Sequence, residues 1–193
     1  MQIGAGREDW ALALLKEMID NGLDACERAG IEQPVIDVQI EENHFVVTDN
    51  GPGIPAAVID GALDYSIRVS TNAAYVSPTR GQLGNALKCL WAAPFVINGK
   101  VGMVDVEANG QWHQMSVRLN QIAQEPVITH VVSESPVQIG TKITVHWQNV
   151  ACFLSSGGEA NLYRAANLLI NYGSRNPHAT FTINGQISDV STG

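Results

Sequence analysis

Apolar residues recur at helical spacing through residues 9–28, DWALALLKEMIDNGLDACER, with no proline among them. That pattern predicts an amphipathic helix with Asp9 as its N-cap. Alternation in VIDVQI (35–40) predicts a half-buried strand, and FVVT (45–48) its hairpin partner across the polar EENH. The turn-rich DNGPGIP follows, and Pro55 at a first helical position opens a short helix through about Leu63. Residues 64–80 are polar and poorly periodic, which predicts a mobile loop. A helix is expected from near Gly84 to just before Pro94. Strands follow at about 101–107, 112–119, 127–133 and 139–147, with Asn109-Gly110 as a hairpin turn. A helix over 158–172 and a strand over 179–184 complete the pattern. Strands joined largely by hairpins, with helices to cover one face, predict an α+β fold with a mainly antiparallel sheet. No internal repeat, low-complexity tract or long linker divides the chain, so residues 1–193 read as a single domain.

Composition narrows the class. A chain of 193 residues can bury roughly 70% of its unfolded surface, so neither a metal nor a disulfide is required to hold it. With 45% hydrophobic and 16% charged residues it is not a disordered chain. No apolar run approaches the ~20 residues that span a bilayer, and the start, MQIGAGREDW, lacks the basic-then-apolar order of a secretory signal. Cys26, Cys89 and Cys152 are far apart and form no C-x-x-C, which reads as three buried thiols in a reducing cytoplasm. A net charge of -8 argues against whole-surface attraction for nucleic acid. One segment departs from that balance. Between Asp64 and Asp105 there is no acidic residue, while Arg68, Arg80, Lys88 and Lys100 all lie there. Such a segment suits a polyanion such as a phosphate chain.

Several groups could carry chemistry. On the first helix Glu17, Asn21 and Asp24 share a face at i, i+4 and i+7, with Asp20 beside them. On a lone helix this is an ordinary solvated face. Asp20 and Asp24, however, are like charges at i, i+4, and Arg28 is the one basic residue at helical spacing, serving Asp24 alone. A carboxylate–carboxamide stripe short of counter-charge suits Mg²⁺ and its retained waters. In DNGPGI, Asp49 would project from a strand end, while Gly51 and Gly53 permit positive φ and close approach of a flat ligand. Gly51, Gly53 and Ala56 also satisfy the G-x-G-x-x-A dinucleotide pattern. Pro52 and Pro55 interrupt the tight turn that pattern needs, and no acidic residue stands about 20 positions on. TRGQLGNALKCL places Gly81 and Gly84 at a helix start, where backbone N–H groups meet anions, with Arg80 and Lys88 on either side. No Walker A loop occurs. Gly140-Thr141 lies on a late strand and alone says little. The five histidines, His44, His113, His130, His146 and His178, do not cluster in sequence and read as structural.

In order and spacing these pieces resemble the GHKL ATPases, the family of gyrase B-type subunits, ninety-kilodalton heat-shock chaperones, MutL proteins and sensor histidine kinases. The resemblance rests on Glu17-Met-Ile-Asp20-Asn21-Gly-Leu-Asp24-Ala25 for the N-box E-x-x-D-N-x-x-D-A, and on Asp49-Asn-Gly51-Pro-Gly53 for D-x-G-x-G. It rests also on Gly81-Gln-Leu-Gly84 for the lid end and on Gly140-Thr141 for the late G-T. Four boxes in register are far more specific than any one, and they cover roughly residues 9–184. Within the family the sequence is most similar to the B subunits of DNA topoisomerase VI, through Arg80-Gly-Gln-Leu-Gly84 and Asn176-Pro-His-Ala179. Two departures stand at the lid end: Ala86 replaces a glycine, and Lys88 follows it.

The resemblance implies a Bergerat two-layer α/β sandwich that binds ATP with Mg²⁺. It implies Glu17 as general base, Asn21 as the Mg²⁺ ligand, Asp49 as acceptor for the adenine amino group, and Gly51 and Gly53 as the adenine wall. Arg80, Gly81, Gly84 and Lys88 would meet the phosphates, Thr141 would support the adenine pocket, and 64–80 would form the ATP lid. It further implies the N-terminal part of a longer cytoplasmic protein that dimerises on ATP, with a DNA-cleaving A-type subunit and DNA as partners through other domains. The alternatives are a GHKL nucleotide switch, a chaperone- or MutL-like ATPase, and a histidine kinase ATP-binding domain. The last is disfavoured because no histidine is followed directly by an acid.

Overall fold

The computed structural model describes residues 9–71, 101–120, 122, 125–155 and 162–187. In chain order the elements are α1 (Trp10–Arg28), β1 (Val35–Ile40), β2 (His44–Asp49), α2 (Ala56–Thr71), β3 (Val101–Ala108), β4 (Gln111–Asn120), β5 (Glu125–Glu134), β6 (Thr141–His146), α3 (Val150–Leu154), α4 (Tyr163–Arg175), β7 (Thr180–Ile183) and β8 (Gln186–Ile187). The strands form one sheet in the order β5-β4-β3-β6-β2-β1-β7-β8. Among the described residues every pairing is antiparallel except β1 with β7. The α+β fold with a mainly antiparallel sheet expected from the hydrophobic pattern is the observed architecture, as is the sandwich that the resemblance implied.

The alternation of each strand sets one apolar face toward the helices. Ile40, Phe45, Val145 and Val104 form one row across the central strands, and Val38, Val47, Ile143 and Val106 the next. Against these rows α1 buries Leu14, Leu15, Met18 and Ile19. Each such side chain contributes about 1.5–3 kcal/mol when removed from water, so the seam of α1 with β1 and β2 is firmly set. The third row breaks the apolar pattern. It reads Ile36, Asp49, Thr141, Ala108, which places a carboxylate and a hydroxyl on the same inward face. The functional site forms at this end of the sheet.

The structure corrects several expectations. Asp9 occupies the N-cap position of α1 but lies in helical backbone geometry and makes no capping bond. Its carboxylate instead pairs with Arg164 of α4. Helix α2 does not end near Leu63 but runs on to Thr71, into the segment expected as a loop. Ile59, Ala62 and Leu63 are buried and anchor the helix, and extending a formed helix costs far less than starting one. The remainder of the lid segment, 72–80, and the helix expected after Gly84, with Cys89 in it, lie outside the described residues. Cys26 is buried as expected, but Cys152 is exposed on the short helix α3, an element the pattern did not predict. The final strand extends into a hairpin: Asn184 and Gly185 have φ of 48° and 77° and turn the chain into β8. Asn109 and Gly110, with φ of 53° and 76°, make the β3–β4 turn as expected.

Candidate functional site

A cavity of about 340 Å³ opens between the second half of α1 and the loop after β2. Met18, Asn21, Gly22, Ala25, Arg28 and Ala29 line it from α1. Pro52, Gly53, Ile54 and Pro55 form the opposite wall, and Thr141 and Ile143 of β6 the floor. The helix supplies small or flat surfaces, and the loop supplies two proline rings. A largely apolar cleft of this size with a few polar groups suits a small-molecule ligand.

Asp49 ends β2 beside this floor. Its Oδ1 accepts the backbone N–H of Gly51 at 2.8 Å and that of Thr141 at 3.3 Å. Burial pushes the carboxyl above its ordinary value, and the bonds from Gly51 and from the Thr141 backbone and side chain pull it back only in part. The carboxylate reaches α1 because residue 22 is glycine: a Cβ there would lie 3.2 Å from the Asp49 Cβ and 3.0 Å from Ile36 Cδ1. Gly140 is the second requirement. With φ of 80° it runs so close to β2 that a Cβ would lie 1.9 Å from the Asp49 carbonyl oxygen. Its N–H donates to the Gly51 carbonyl at 3.0 Å, tying the loop to β6.

The loop is held at other points too. The Asn50 carboxamide accepts the Val35 N–H and the Cys26 thiol and donates to the Gln33 carbonyl. Asn109, at the β3–β4 turn, donates to the Ile54 carbonyl at 3.2 Å. Gly53 has the expected positive φ, 81°, whereas Gly51 does not. Gly51 is needed for space instead, since a Cβ would meet Asp49 Oδ1 at 2.9 Å. Cys26 lies beneath the loop with its thiol pushed up to about 11, by burial first and by Asp49 second, so it is an inert packing group.

Of the residues singled out from sequence, the fold brings Asn21, Asp49, Gly51, Gly53 and Thr141 together. Among the described residues the Asn21 carboxamide has no hydrogen-bond partner, and it faces the cavity. Glu17 is exposed one turn earlier on α1, off the cavity lining. Asp20 points the other way. Tyr172 of α4 donates to its Oδ1 and Lys16 pairs with its Oδ2, so it has a basic partner the helical spacing had not credited. Burial, and then Asp20, Glu17 and Asp24, push the Tyr172 hydroxyl far above its ordinary value. Arg28 does not serve the Asp24 carboxylate; its Nε donates to the Asp24 carbonyl at 3.0 Å. Arg80, Gly81, Gly84 and Lys88 lie outside the described residues. Sequence reading missed Gly22, took Asn109 only for its turn, and singled out Gly140 with Thr141 without its close packing on Asp49, because each acts through a neighbour distant in the chain.

A half-buried acceptor beside the floor of a largely apolar cleft suits a purine amino group, and an unbonded carboxamide at its edge suits a hydrated cation and phosphates. On a two-layer sandwich this arrangement defines an ATP-binding domain of the Bergerat type. Comparison with known proteins narrows it further. The chain belongs to the family of histidine kinase-, DNA gyrase B- and HSP90-like ATPases, whose model matches residues 6–150. It is similar to the B subunit of type 2 DNA topoisomerase 6 from Pyrococcus furiosus, 30% identical over 156 residues, which cover 75% of this chain and 27% of the relative. The B subunit of the same enzyme from Pyrococcus abyssi is 33% identical over 117 residues, 56% of this chain and 20% of the relative. That of Archaeoglobus fulgidus is 45% identical over 80 residues, 38% and 12% respectively. The chain thus spans about a quarter or less of the length of these relatives. No helix among the described residues is long and apolar enough to cross a membrane.

Proposed function

We propose that this chain is the Mg²⁺-dependent ATP-binding and ATP-hydrolysing domain of a type IIB topoisomerase-like B subunit. The observation that carries the reading is Asp49, a half-buried carboxylate fixed by Gly51 and Thr141 beside a largely apolar cleft of about 340 Å³. An acceptor-only group there takes a hydrogen bond from the exocyclic amino group of adenine, which guanine does not offer at that position. Asn21, one turn past Glu17, would hold Mg²⁺ through its carboxamide oxygen. Among the described residues no three His, Cys, Asp or Glu side chains are grouped to hold a metal. A lone carboxamide fits a magnesium ion that keeps its waters and binds chiefly through the nucleotide. That ion would neutralise charge on the phosphates.

Glu17 would take the proton of the water that attacks the terminal phosphorus; ADP and inorganic phosphate are the products. Its exposure leaves it free to meet the phosphates. Arg80, Gly81, Gly84 and Lys88 would supply donors to the phosphate chain, with 64–80 as the lid. The helical stretch through Thr71 makes the lid's first half an extension of α2. In a longer cytoplasmic protein ATP would drive dimerisation, with a DNA-cleaving partner subunit and DNA engaged by other domains. The relatives' names, B subunits of a DNA topoisomerase, support the topoisomerase part of this reading, and their greater length leaves room for other domains.

The test is calorimetric titration of the chain with ATP, ADP and GTP, with and without Mg²⁺. Adenine-selective, Mg²⁺-enhanced binding is expected, with slow turnover. Equal affinity for GTP and ATP would contradict the adenine assignment.

A further inference from the structure

We propose that Arg28 covers the exposed face of the bound base and contributes affinity for the purine ring rather than for the phosphates. The proposal rests on the ATP-site reading above. Arg28 closes the last turn of α1 and lines the cavity together with Ala25 and Ala29, facing Pro52 and Pro55 across the slot. It stands seven residues beyond Asn21, two turns along the same stripe and about 10 Å along the axis. That separation is comparable to the one between the base and the terminal phosphates of an extended nucleotide. With Asn21 at the phosphate end, Arg28 stands at the base end.

Two further observations fix what its guanidinium can do. Its Nε is tied to the Asp24 carbonyl, which folds the side chain back along the helix beside Ala25. Among the described residues no carboxylate oxygen lies within ion-pairing distance of it, although the helix is otherwise rich in acids. The two terminal nitrogens are therefore not engaged by an acidic side chain. A planar cation beside a slot walled by proline rings is placed to lie on the π face of an aromatic ring that enters the slot. Aliphatic rings below and a guanidinium above would hold the base from both sides, while Asp49 reads its edge.

The experiment compares wild type, Arg28→Ala and Arg28→Gln by titration with three probes: Mg²⁺-ATP, adenosine, and inorganic triphosphate with Mg²⁺. Thermal melts confirm that each variant is folded. Both variants should weaken adenosine and Mg²⁺-ATP by about 2- to 30-fold, the range of a cation–π contact. Inorganic triphosphate should bind all three proteins within twofold. A matching loss for triphosphate would place the guanidinium on the phosphates and overturn the proposal, as would unchanged adenosine affinity in both variants. Failure of the wild-type protein to bind Mg²⁺-ATP would overturn the site reading itself, and is separable because it appears before any variant is made.

Discussion

Replacing Asp49 by asparagine should make the unliganded domain more stable and the nucleotide complex much weaker. Asparagine keeps the side-chain oxygen that accepts the Gly51 and Thr141 N–H groups at 2.8 and 3.3 Å, so those bonds cancel between the two proteins. The Thr141 hydroxyl, which also bonds the carboxylate, can accept from the new amide. What remains is the charge. Burial raises the Asp49 pKa in the folded chain above its ordinary 3.8, so the folded state holds that proton more tightly than the unfolded state does. Stability therefore falls as pH rises from about 3.8 through the raised folded value, and stays at the lower level above it. Asparagine carries no such penalty, and the unliganded melting temperature should rise.

Binding moves the other way. The amide presents N–H toward the adenine amino group, and a hydrogen bond to a charged acceptor, about 1.5–3 kcal/mol, is lost. That corresponds to about 10- to 150-fold in Kd. The assay is a pair of measurements on each protein: thermal unfolding without nucleotide, and calorimetric titration with Mg²⁺-ATP and Mg²⁺-GTP at neutral pH. The preference for ATP should collapse in the variant. An Asp49→Asn protein that binds ATP within threefold of wild type, or that melts below it, would refute the reasoning, because the carboxylate would then be a structural group and not a reader of the base.

The other predictions concern neighbouring residues. Glu17→Gln should leave ATP affinity within several-fold while hydrolysis falls by ~10²–10⁴, checked by phosphate release, because the exposed group adds nothing to packing and is proposed as the general base. Asn21→Ala should remove most of the Mg²⁺ enhancement of nucleotide affinity and change the Mg²⁺-free affinity little; equal losses in both titrations would count against a metal role. Gly140→Ala must place a methyl 1.9 Å from the Asp49 carbonyl oxygen at a φ of 80°, so it should cost at least about 2 kcal/mol, or roughly 4–8 °C in Tm. ATP affinity of the wild-type chain should fall as pH drops through the raised Asp49 pKa, and Asp49→Asn should abolish that dependence.

The sequence by itself determined the elements whose signals are local. Helical periodicity in 9–28 and alternation in 35–40 and 45–48 each matched their elements to within a residue, because a half-buried helix or strand must carry its own pattern. The motif spacing also pointed to Asn21, Asp49, Gly51, Gly53 and Thr141 as one group, and the fold does bring these five together. Local pattern failed where a distant contact decided the outcome. Helix α2 outran its expected end because the core holds its first turns. Asp9 was drawn from its cap by Arg164, 155 residues away in the chain. Asp20 acquired Tyr172 from α4. Only the tertiary structure set Asp49 in register with Ile36 and Thr141, pressed it against Gly22 of α1, and so took its carboxylate partly out of water. Burial and register are properties of the packed sheet, and no single segment encodes them. Arg28 is the same case in reverse: an ordinary helix-end arginine in sequence, it becomes part of the site because the Pro52–Pro55 loop folds across from it.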